Sequence, residues 1–115
     1  MSSPIIFIDF AGPDDEVLRD FYSTVFDWQA DDGGKFQAPV STPIECAIRK
    51  DPVEKRVYVG VPDVDACLSL IEQSGGSVEV PRFEVPGVVV LGLFRDPAGN
   101  PMGLVEMDGE RPRVP

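Results

Sequence analysis

The chain has 115 residues, of which 43% are hydrophobic and 9% aromatic, and its formal net charge is −10 with no histidine. This composition is typical of a folded domain with a hydrophobic core and argues against a disordered chain. The negative charge repels phosphate backbones, which argues against a nucleic-acid partner, and no apolar run approaches the roughly 20 residues of a membrane helix.

The two cysteines, Cys46 and Cys67, follow no metal-ligand spacing. We interpret both as buried thiols in a reducing compartment. The N-terminal stretch MSSPIIFIDF has no basic start, and its apolar run is too short for an export signal. We therefore expect a cytoplasmic protein.

The first half begins with PIIFIDF at residues 4–10, which alternates as a strand does. The face expected to meet a helix carries Ile6, Ile8 and Phe10. The opposite face carries Ile5, Phe7 and Asp9. Pro13 and Asp14 then start a helix, whose predicted apolar stripe is Val17, Leu18, Phe21, Tyr22, Val25 and Phe26. We expect Trp28, just after this helix, to pack against the core. A turn is predicted at residues 30–36, strands are predicted at 35–40 and 43–50, and a polar connector is predicted at 51–55.

The second half repeats this order. The strand at residues 56–61 carries Val57, Val59 and Val61 on one face and Arg56, Tyr58 and Gly60 on the other. A helix follows, with Asp63 as its N-cap and Gly75 or Gly76 at its end. Three strands are predicted at residues 77–81, 87–96 and 101–107, and residues 108–115 are predicted to be frayed.

The chain therefore reads β-α-β-β-β twice, with a repeat of roughly 50 residues. This predicts one α+β domain over residues 1–115, with module one at about 4–50 and module two at about 56–108. Each half has one helix, which covers only one face of its strands. We expect the other face to meet the opposite half or a ligand.

Three segments carry a resemblance to a known family: IIFIDFAGPDDEVLRDFYSTVFDW, VYVGVPDVDACLSLIEQSGGSVEVP and VPGVVVLGLFRDPAGNPMGLVE. In this order they resemble the glyoxalase/bleomycin resistance/dioxygenase superfamily, also called vicinal oxygen chelate (VOC) proteins. The likeness covers about residues 4–108. It implies two βαβββ modules that form a curved eight-stranded sheet around a cavity, often within a dimer.

Metal-dependent members of this superfamily hold a divalent ion with His, Gln or Glu on the first strand of each module and Glu on the last. Position by position, the resemblance places these ligands at Phe7, at about Arg56 and at Gly103, with Glu45 as the remaining candidate. Phenyl, guanidinium and hydrogen cannot replace imidazole or carboxylate around such a cation. We therefore predict no metal and no other cofactor.

No other catalytic group stands out, because the sequence has no histidine base and no serine or cysteine with a visible activating partner. Asp9 could act as a base if burial beside Phe7 and Phe10 raised its pKa. Pairing with Arg56 would do the opposite, and we favour such a structural pairing.

Without a metal site, the remaining feature that the resemblance implies is a cavity. The strand alternation predicts that its lining includes Ile5 and the following candidate ligand-binding residues: Phe7, Asp9, Glu45, Arg56, Tyr58, Gly103 and Val105. Aromatic rings, aliphatic walls and a few charges are usual in ligand sites. An interior that Phe7 and Tyr58 simply fill is an alternative of equal weight to a ligand pocket.

The favoured hypothesis is a metal-free glyoxalase-like or bleomycin-resistance-like homodimer that binds a small molecule, such as a cationic or aromatic drug. One alternative is a lyase or dioxygenase of the same superfamily with an atypical site. Another is a structural or regulatory dimer with a filled cavity.

Overall fold

The computed structural model describes residues 2–38 and 44–115, which form an α+β structure of two helices and eight strands. The helices are α1 (Asp15–Phe26) and α2 (Val64–Gln73). The strands, in chain order, are β1 (Ile5–Gly12), β2 (Lys35–Ala38), β3 (Ile44–Lys50), β4 (Glu54–Val61), β5 (Ser77–Val85), β6 (Val89–Arg95), β7 (Pro101–Asp108) and β8 (Arg111–Pro112). The predicted α+β class is confirmed. The parts of the predicted strands at residues 39, 40 and 43 lie outside the described residues.

The chain divides into two compact units. The first unit is Ile6–Arg56, and the second unit is Val57–Pro115 together with the N-terminal residues up to Ile5. Each unit has its own helix, its own sheet pairings and its own core.

In the first unit, β3 pairs with β1 in parallel and with β2 in antiparallel orientation. Helix α1 begins at Asp14, whose side chain accepts a hydrogen bond from the Val17 amide at 3.2 Å, as the sequence predicts. It ends at Asp27, which adopts a left-handed conformation with φ of 58°.

Stacked aromatic rings form much of the first unit's core. Trp28 lies 5.3 Å from Tyr22 and 5.6 Å from Phe36 between ring centroids, and the Phe10 ring lies 5.4 Å from that of Tyr22. The predicted packing of Trp28 is confirmed, as is the helix-facing side of β1, since Ile8 and Phe10 join this cluster.

In the second unit, β7 lies between β4, to which it is parallel, and β6, to which it is antiparallel, and β5 pairs with β6. Helix α2 begins at Asp63, whose side chain accepts from the Ala66 amide at 3.0 Å. Its inner face packs on the sheet through Val64 and Leu68, beside Val61 and Leu104. The predicted N-cap and the helix-facing side of β4 are therefore confirmed.

The first half has fewer strands after its helix than the repeat predicts. Within the described residues, two strands, β2 and β3, follow α1 in the first half, whereas four strands, β5 to β8, follow α2. The segment between α1 and β2 forms a turn, as predicted for residues 30–36, in which the Gly34 amide donates to the Asp31 carbonyl and the Asp31 amide donates to the Lys35 carbonyl. Asp and Gly are poor strand formers, which accounts for the turn.

Two other expectations are wrong. The C-terminal tail is paired rather than frayed, because β8 pairs with β7. In addition, the Arg113 amide donates a hydrogen bond to the Glu106 carbonyl at 2.8 Å, and the Gly87 amide donates one to the Pro115 carbonyl at 3.1 Å. The stripe of α1 is also only partly inward: Leu18 and Tyr22 pack in the core, while Val17, Phe21, Val25 and Phe26 are exposed. A single helix turned toward one sheet covers only a narrow stripe, so the rest of this wide apolar face is left outside.

Candidate functional site

The predicted ligand-binding residues are divided between the two units. Phe7, Asp9, Glu45 and Arg56 lie in the first unit, and Tyr58, Gly103 and Val105 lie in the second. The sequence-based prediction that they line one cavity stays a prediction. Each group nevertheless has well-defined surroundings within its own unit.

In the first unit, Phe7 and Glu45 come together on the sheet face opposite α1. Phe7 on β1 is beside Glu45 on β3, and Glu45 is in turn opposite Gln37 on β2. The ammonium of Lys35, two residues before Gln37 and hence on the same face, lies 4.5 Å from the centroid of the Phe7 ring. This is a cation–π contact.

A pocket of about 470 Å³ opens beside this group and is lined by Asp31, Lys35, Phe36, Gln37 and Glu45. Its volume falls within the range typical of small-molecule sites. The side chains of Lys35, Gln37 and Glu45 are all exposed. The pocket is thus open and polar, with the half-buried Phe7 ring beneath the Lys35 ammonium.

The turn before β2 holds Lys35 in this place. One carboxylate oxygen of Asp31, Oδ1, accepts hydrogen bonds from the Gly33 and Lys35 amides, both at 2.9 Å. Asp31 therefore stabilises the turn in addition to lining the pocket. Lys35 is not among the residues predicted from the sequence, although its position two residues from Gln37 in a period-two strand could have placed it beside Phe7 and Glu45.

A cluster of charged side chains surrounds Asp9 and Arg56, which are 3% and 2% exposed. Arg49 Nε donates to Asp9 Oδ2 at 2.9 Å, and Arg49 also pairs with Asp51 and Glu54. Arg56 donates to Glu54 through Nη2 at 2.8 Å and through Nε at 3.1 Å. Glu54 thus connects the two arginines, as expected for buried charges that need partners.

The pKa values of this cluster follow from its hydrogen bonds. The hydrogen bond from Arg56, opposed by burial and aided by Arg49, lowers the pKa of Glu54. Burial lowers the pKa of Arg49, but its bonds to Asp9 and Asp51 outweigh this effect and raise the value overall. Glu54 and Arg49 are therefore ionised at neutral pH, and the Arg49 contact favours the structural role of Asp9 over that of a base.

In the second unit, Tyr58 lies over Gly103. The two residues are directly opposite each other on β4 and β7, and both are buried. A Cβ atom at position 103 would lie only 2.4 Å from Cδ2 and 2.5 Å from Cε2 of the Tyr58 ring. Glycine is required because the ring occupies the space that a side chain would take. Val105, two residues farther along the same face, is also buried.

The positions at which the resemblance places metal ligands do not fit a divalent ion. Phe7 lies under the Lys35 ammonium, Arg56 is bound to Glu54, and Gly103 is covered by the Tyr58 ring. Within residues 2–38 and 44–115, no group of three or more His, Cys, Asp or Glu side chains is arranged to hold a metal ion. Glu45 alone offers a carboxylate, and one carboxylate does not make a site.

Glu106, a buried carboxylate on the helix-facing side of β7, is also absent from the residues predicted from the sequence. Its Oε1 accepts from the Val64 amide at 3.1 Å, and its Oε2 accepts from Arg82 Nη2 at 2.8 Å. Arg113 Nε lies 3.4 Å away. The sequence could have indicated this residue, because Glu106 lies two residues after the core residue Leu104 and therefore on the same face of the strand, where a buried carboxylate needs partners.

Comparison with known proteins gives weak sequence matches and clear structural ones. No family model matches the chain. CFP32, named a candidate glyoxylase in Mycobacterium tuberculosis and Mycobacterium bovis, is 27% identical over 112 residues, a match that covers 84% of this chain and 43% of CFP32. The chain thus spans less than half the length of these curated relatives.

Two solved structures of methylmalonyl-CoA epimerases are similar in fold. A variant of the Streptomyces coelicolor enzyme, in complex with 2-nitronate-propionyl-CoA, matches with a TM-score of 0.64 at 17% identity over 92% of this chain and 98% of that chain. The Mycobacterium tuberculosis enzyme matches with a TM-score of 0.62 at 14% identity over 90% of this chain and 87% of that chain. Among the described residues, neither helix has the length and apolar character that crossing a membrane requires.

Proposed function

We propose that this chain, whose fold is that of the glyoxalase/bleomycin resistance/dioxygenase (VOC) superfamily, binds a small molecule and is not a metal-dependent enzyme. The methylmalonyl-CoA epimerases and CFP32 are members of that superfamily, so the resemblance predicted from the sequence is confirmed. One observation carries the proposal: where the resemblance expects metal ligands, this chain has Phe7, Arg56 and Gly103, and each is already engaged by a neighbouring side chain.

The ligand site that we propose is the pocket of the first unit. A ligand there would meet the carboxylate of Glu45, the amide of Gln37 and, once Lys35 moves aside, the face of the Phe7 ring. The ring faces of aromatic residues attract cations, and the net charge of −10 draws cations toward the protein. These features support a ligand with a cationic or aromatic group.

We further propose that Lys35 competes with such a ligand. Its ammonium rests on the Phe7 ring at 4.5 Å, in the place that a ligand cation would take. The side chain is long, exposed and therefore able to swing into solvent. Lys35 thereby weakens the binding of cations while leaving the site itself intact.

Calorimetric titration with benzyltrimethylammonium tests this proposal. We expect Phe7→Leu to weaken binding by about 2- to 30-fold, the range of one cation–π contact. Lys35→Met should strengthen binding, because it removes the competing ammonium. Lys55→Met is the matched control, since Lys55 is an exposed lysine of β4 that does not line the pocket, and it should leave the affinity unchanged.

Two results would contradict this ligand assignment. One is the absence of any titratable binding by the natural chain or by Lys35→Met. The other is binding of benzoate that Lys35→Met abolishes, which would make Lys35 an anion-binding residue instead of a competitor.

An enzyme of the epimerase or lyase type is the second candidate, because both CFP32 and the structural neighbours are named as enzymes. A methylmalonyl-CoA epimerase of similar fold has been solved in complex with methylmalonyl-CoA, which is a CoA ester. Likeness at 14–17% identity supports the fold and not this reaction. We also propose that the protein is cytoplasmic and that it is a homodimer.

A further inference from the structure

We infer that the ligand of the first unit's pocket is a planar cation whose edge carries N–H groups, such as an amidinium, a guanidinium or a protonated amino-heterocycle. It lies flat on the Phe7 ring with its edge toward the carboxylate of Glu45. This inference rests on the small-molecule binding proposed above and names the chemical class of the ligand.

The chain's own cation shows where positive charge rests in this pocket. Two carboxylates, those of Asp31 and Glu45, line the pocket together with Lys35. Among the described residues Lys35 forms no ion pair with either of them, and its ammonium lies 4.5 Å from the centroid of the Phe7 ring. The ring face is therefore the position that a ligand cation takes over from Lys35.

Glu45 is the carboxylate that remains to meet a ligand at this position. Asp31 Oδ1 already accepts hydrogen bonds from two backbone amides of its own turn, both at 2.9 Å. In the part of the chain that the structure describes, no hydrogen bond or ion pair engages the exposed Glu45 side chain. Phe7 is its partner on β1, and neighbouring strands lie about 4.8 Å apart. Glu45 thus stands one strand spacing to the side of the ring.

This arrangement favours a cation that is flat. A guanidinium or amidinium stacks on an aromatic face while its N–H groups point outward in the plane. Two parallel N–H groups match the two oxygens of one carboxylate and form charge-assisted hydrogen bonds. Gln37, directly opposite Glu45 on β2, offers a side-chain carbonyl for a further N–H group. A quaternary ammonium has no N–H group and gains the ring contact alone.

The charges of the pocket disfavour anions. Once Lys35 swings into solvent, the charged groups that remain on the described lining are the carboxylates of Asp31 and Glu45. A ligand anion would meet like charge there, reinforced by the net charge of −10. Selection therefore acts among cations, and the planar ones with N–H groups make the most contacts.

Calorimetric titrations with benzamidinium and with benzyltrimethylammonium compare the two kinds of cation. Each has one phenyl ring and one positive charge, but only benzamidinium has N–H groups. We expect benzamidinium to bind roughly 3- to 10-fold more tightly, the gain from one exposed pair of charge-assisted hydrogen bonds. Lys35→Met should strengthen the binding of both by a similar factor and leave their ratio unchanged, because Lys35 competes with both.

Glu45→Gln tests the edge contact, because it keeps the size of the side chain and removes its charge. The ratio of the two affinities should fall to about 1- to 2-fold, through weaker binding of benzamidinium. Glu72→Gln is the matched control: Glu72 is an exposed glutamate of α2 outside the pocket, and its replacement removes the same net charge. It should leave the ratio unchanged.

The outcomes separate this inference from the proposed function. Equal affinities for the two cations in the natural chain, or a preference that Glu45→Gln retains, would overturn the ligand class and leave small-molecule binding standing. Absence of binding by either cation, in the natural chain and in Lys35→Met, would overturn both.

Proton NMR of the Lys35 side chain locates the bound cation. The methylene protons next to the ammonium lie close to the face of the Phe7 ring, and its ring current shifts their resonances upfield. Saturating benzamidinium should return these resonances toward the ordinary lysine position, because the ligand displaces Lys35 from the ring. Phe7→Leu should remove the upfield shift. Binding of benzamidinium that leaves the Lys35 resonances of the natural chain unchanged would place the ligand elsewhere and overturn the inference.

Discussion

Replacing Gly103 with glutamate should lower the free energy of unfolding by about 3 kcal/mol or more, because it forces a side chain and a charge into a filled site. The new Cβ would lie 2.4 Å from the Tyr58 ring, which is buried directly opposite on β4. Urea denaturation followed by circular dichroism would measure the loss. The protein should also gain no one-to-one metal binding, as the sequence itself implies for a chain with Phe7 and Arg56 at the other ligand positions.

The alanine variant tests the same contact without a charge. Gly103→Ala should cost about 1–3 kcal/mol, the usual cost of overpacking. In a Tyr58→Ala background the same change should be neutral or favourable by up to about 1 kcal/mol, because alanine suits a strand better than glycine does. Gly33→Ala is the control, since a Cβ there meets only Asp31 Oδ1 at 3.4 Å. A neutral Gly103→Ala in the natural chain would show that Tyr58 does not exclude a side chain.

Glu106→Gln should cost about 2–4 kcal/mol of stability, because this carboxylate joins α2, β5 and the C-terminal segment to β7. The variant loses the charge that Arg82 and Arg113 meet and weakens the acceptor for the Val64 amide. Glu84→Gln is the matched control: Glu84 contacts the same arginine at 3.7 Å but is exposed, so its loss should cost under about 0.5 kcal/mol. Equal effects of the two changes would contradict the role of Glu106.

The same carboxylate should make stability sensitive to acid. The hydrogen bond from Arg82, opposed by burial and aided by the Val64 amide, lowers the pKa of Glu106 from 4.5 to about 2. Because the pKa is lower in the folded state, the stabilisation is complete above pH 4.5 and is lost as pH falls from 4.5 toward 2. Its size is on the order of 3 kcal/mol. Urea unfolding at about pH 7, 4 and 3 brackets this loss. The free energy of unfolding of the natural chain should include the decrease that comes from protonation of Glu106, and that of Glu106→Gln should not.

Local patterns in the sequence predict most of the fold. Alternation places Ile8 and Val61 toward the helices, and Asp14 and Asp63 are recognisable as helix starts, because these features depend on neighbours a few residues apart. The paired tail escapes prediction for the opposite reason. The partners of residues 111–113 lie on β7, and the short polar sequence of the tail contains no sign of them.

The candidate site is harder to predict, because its contacts join distant residues. The sequence suggests Arg56 as the partner of Asp9, but it gives no sign of the hydrogen bond from Arg49, which lies 40 residues from Asp9 along the chain. Alternation places Phe7 and Glu45 on one face correctly, whereas the approach of Lys35 to the Phe7 ring depends on the turn at Asp31. Likewise, the glycine at position 103 is visible in the sequence, but the tyrosine ring that requires it is not.

Calorimetric titration of the natural chain with zinc, nickel and manganese at neutral pH is the decisive experiment on the proposed loss of the metal site. If Phe7, Arg56 and Gly103 have removed the metal site of this fold, none of the three ions should bind one-to-one in the micromolar range, and benzyltrimethylammonium should still bind. Tight one-to-one binding of any of these ions would contradict the proposed function and make the metal-dependent enzyme the leading hypothesis.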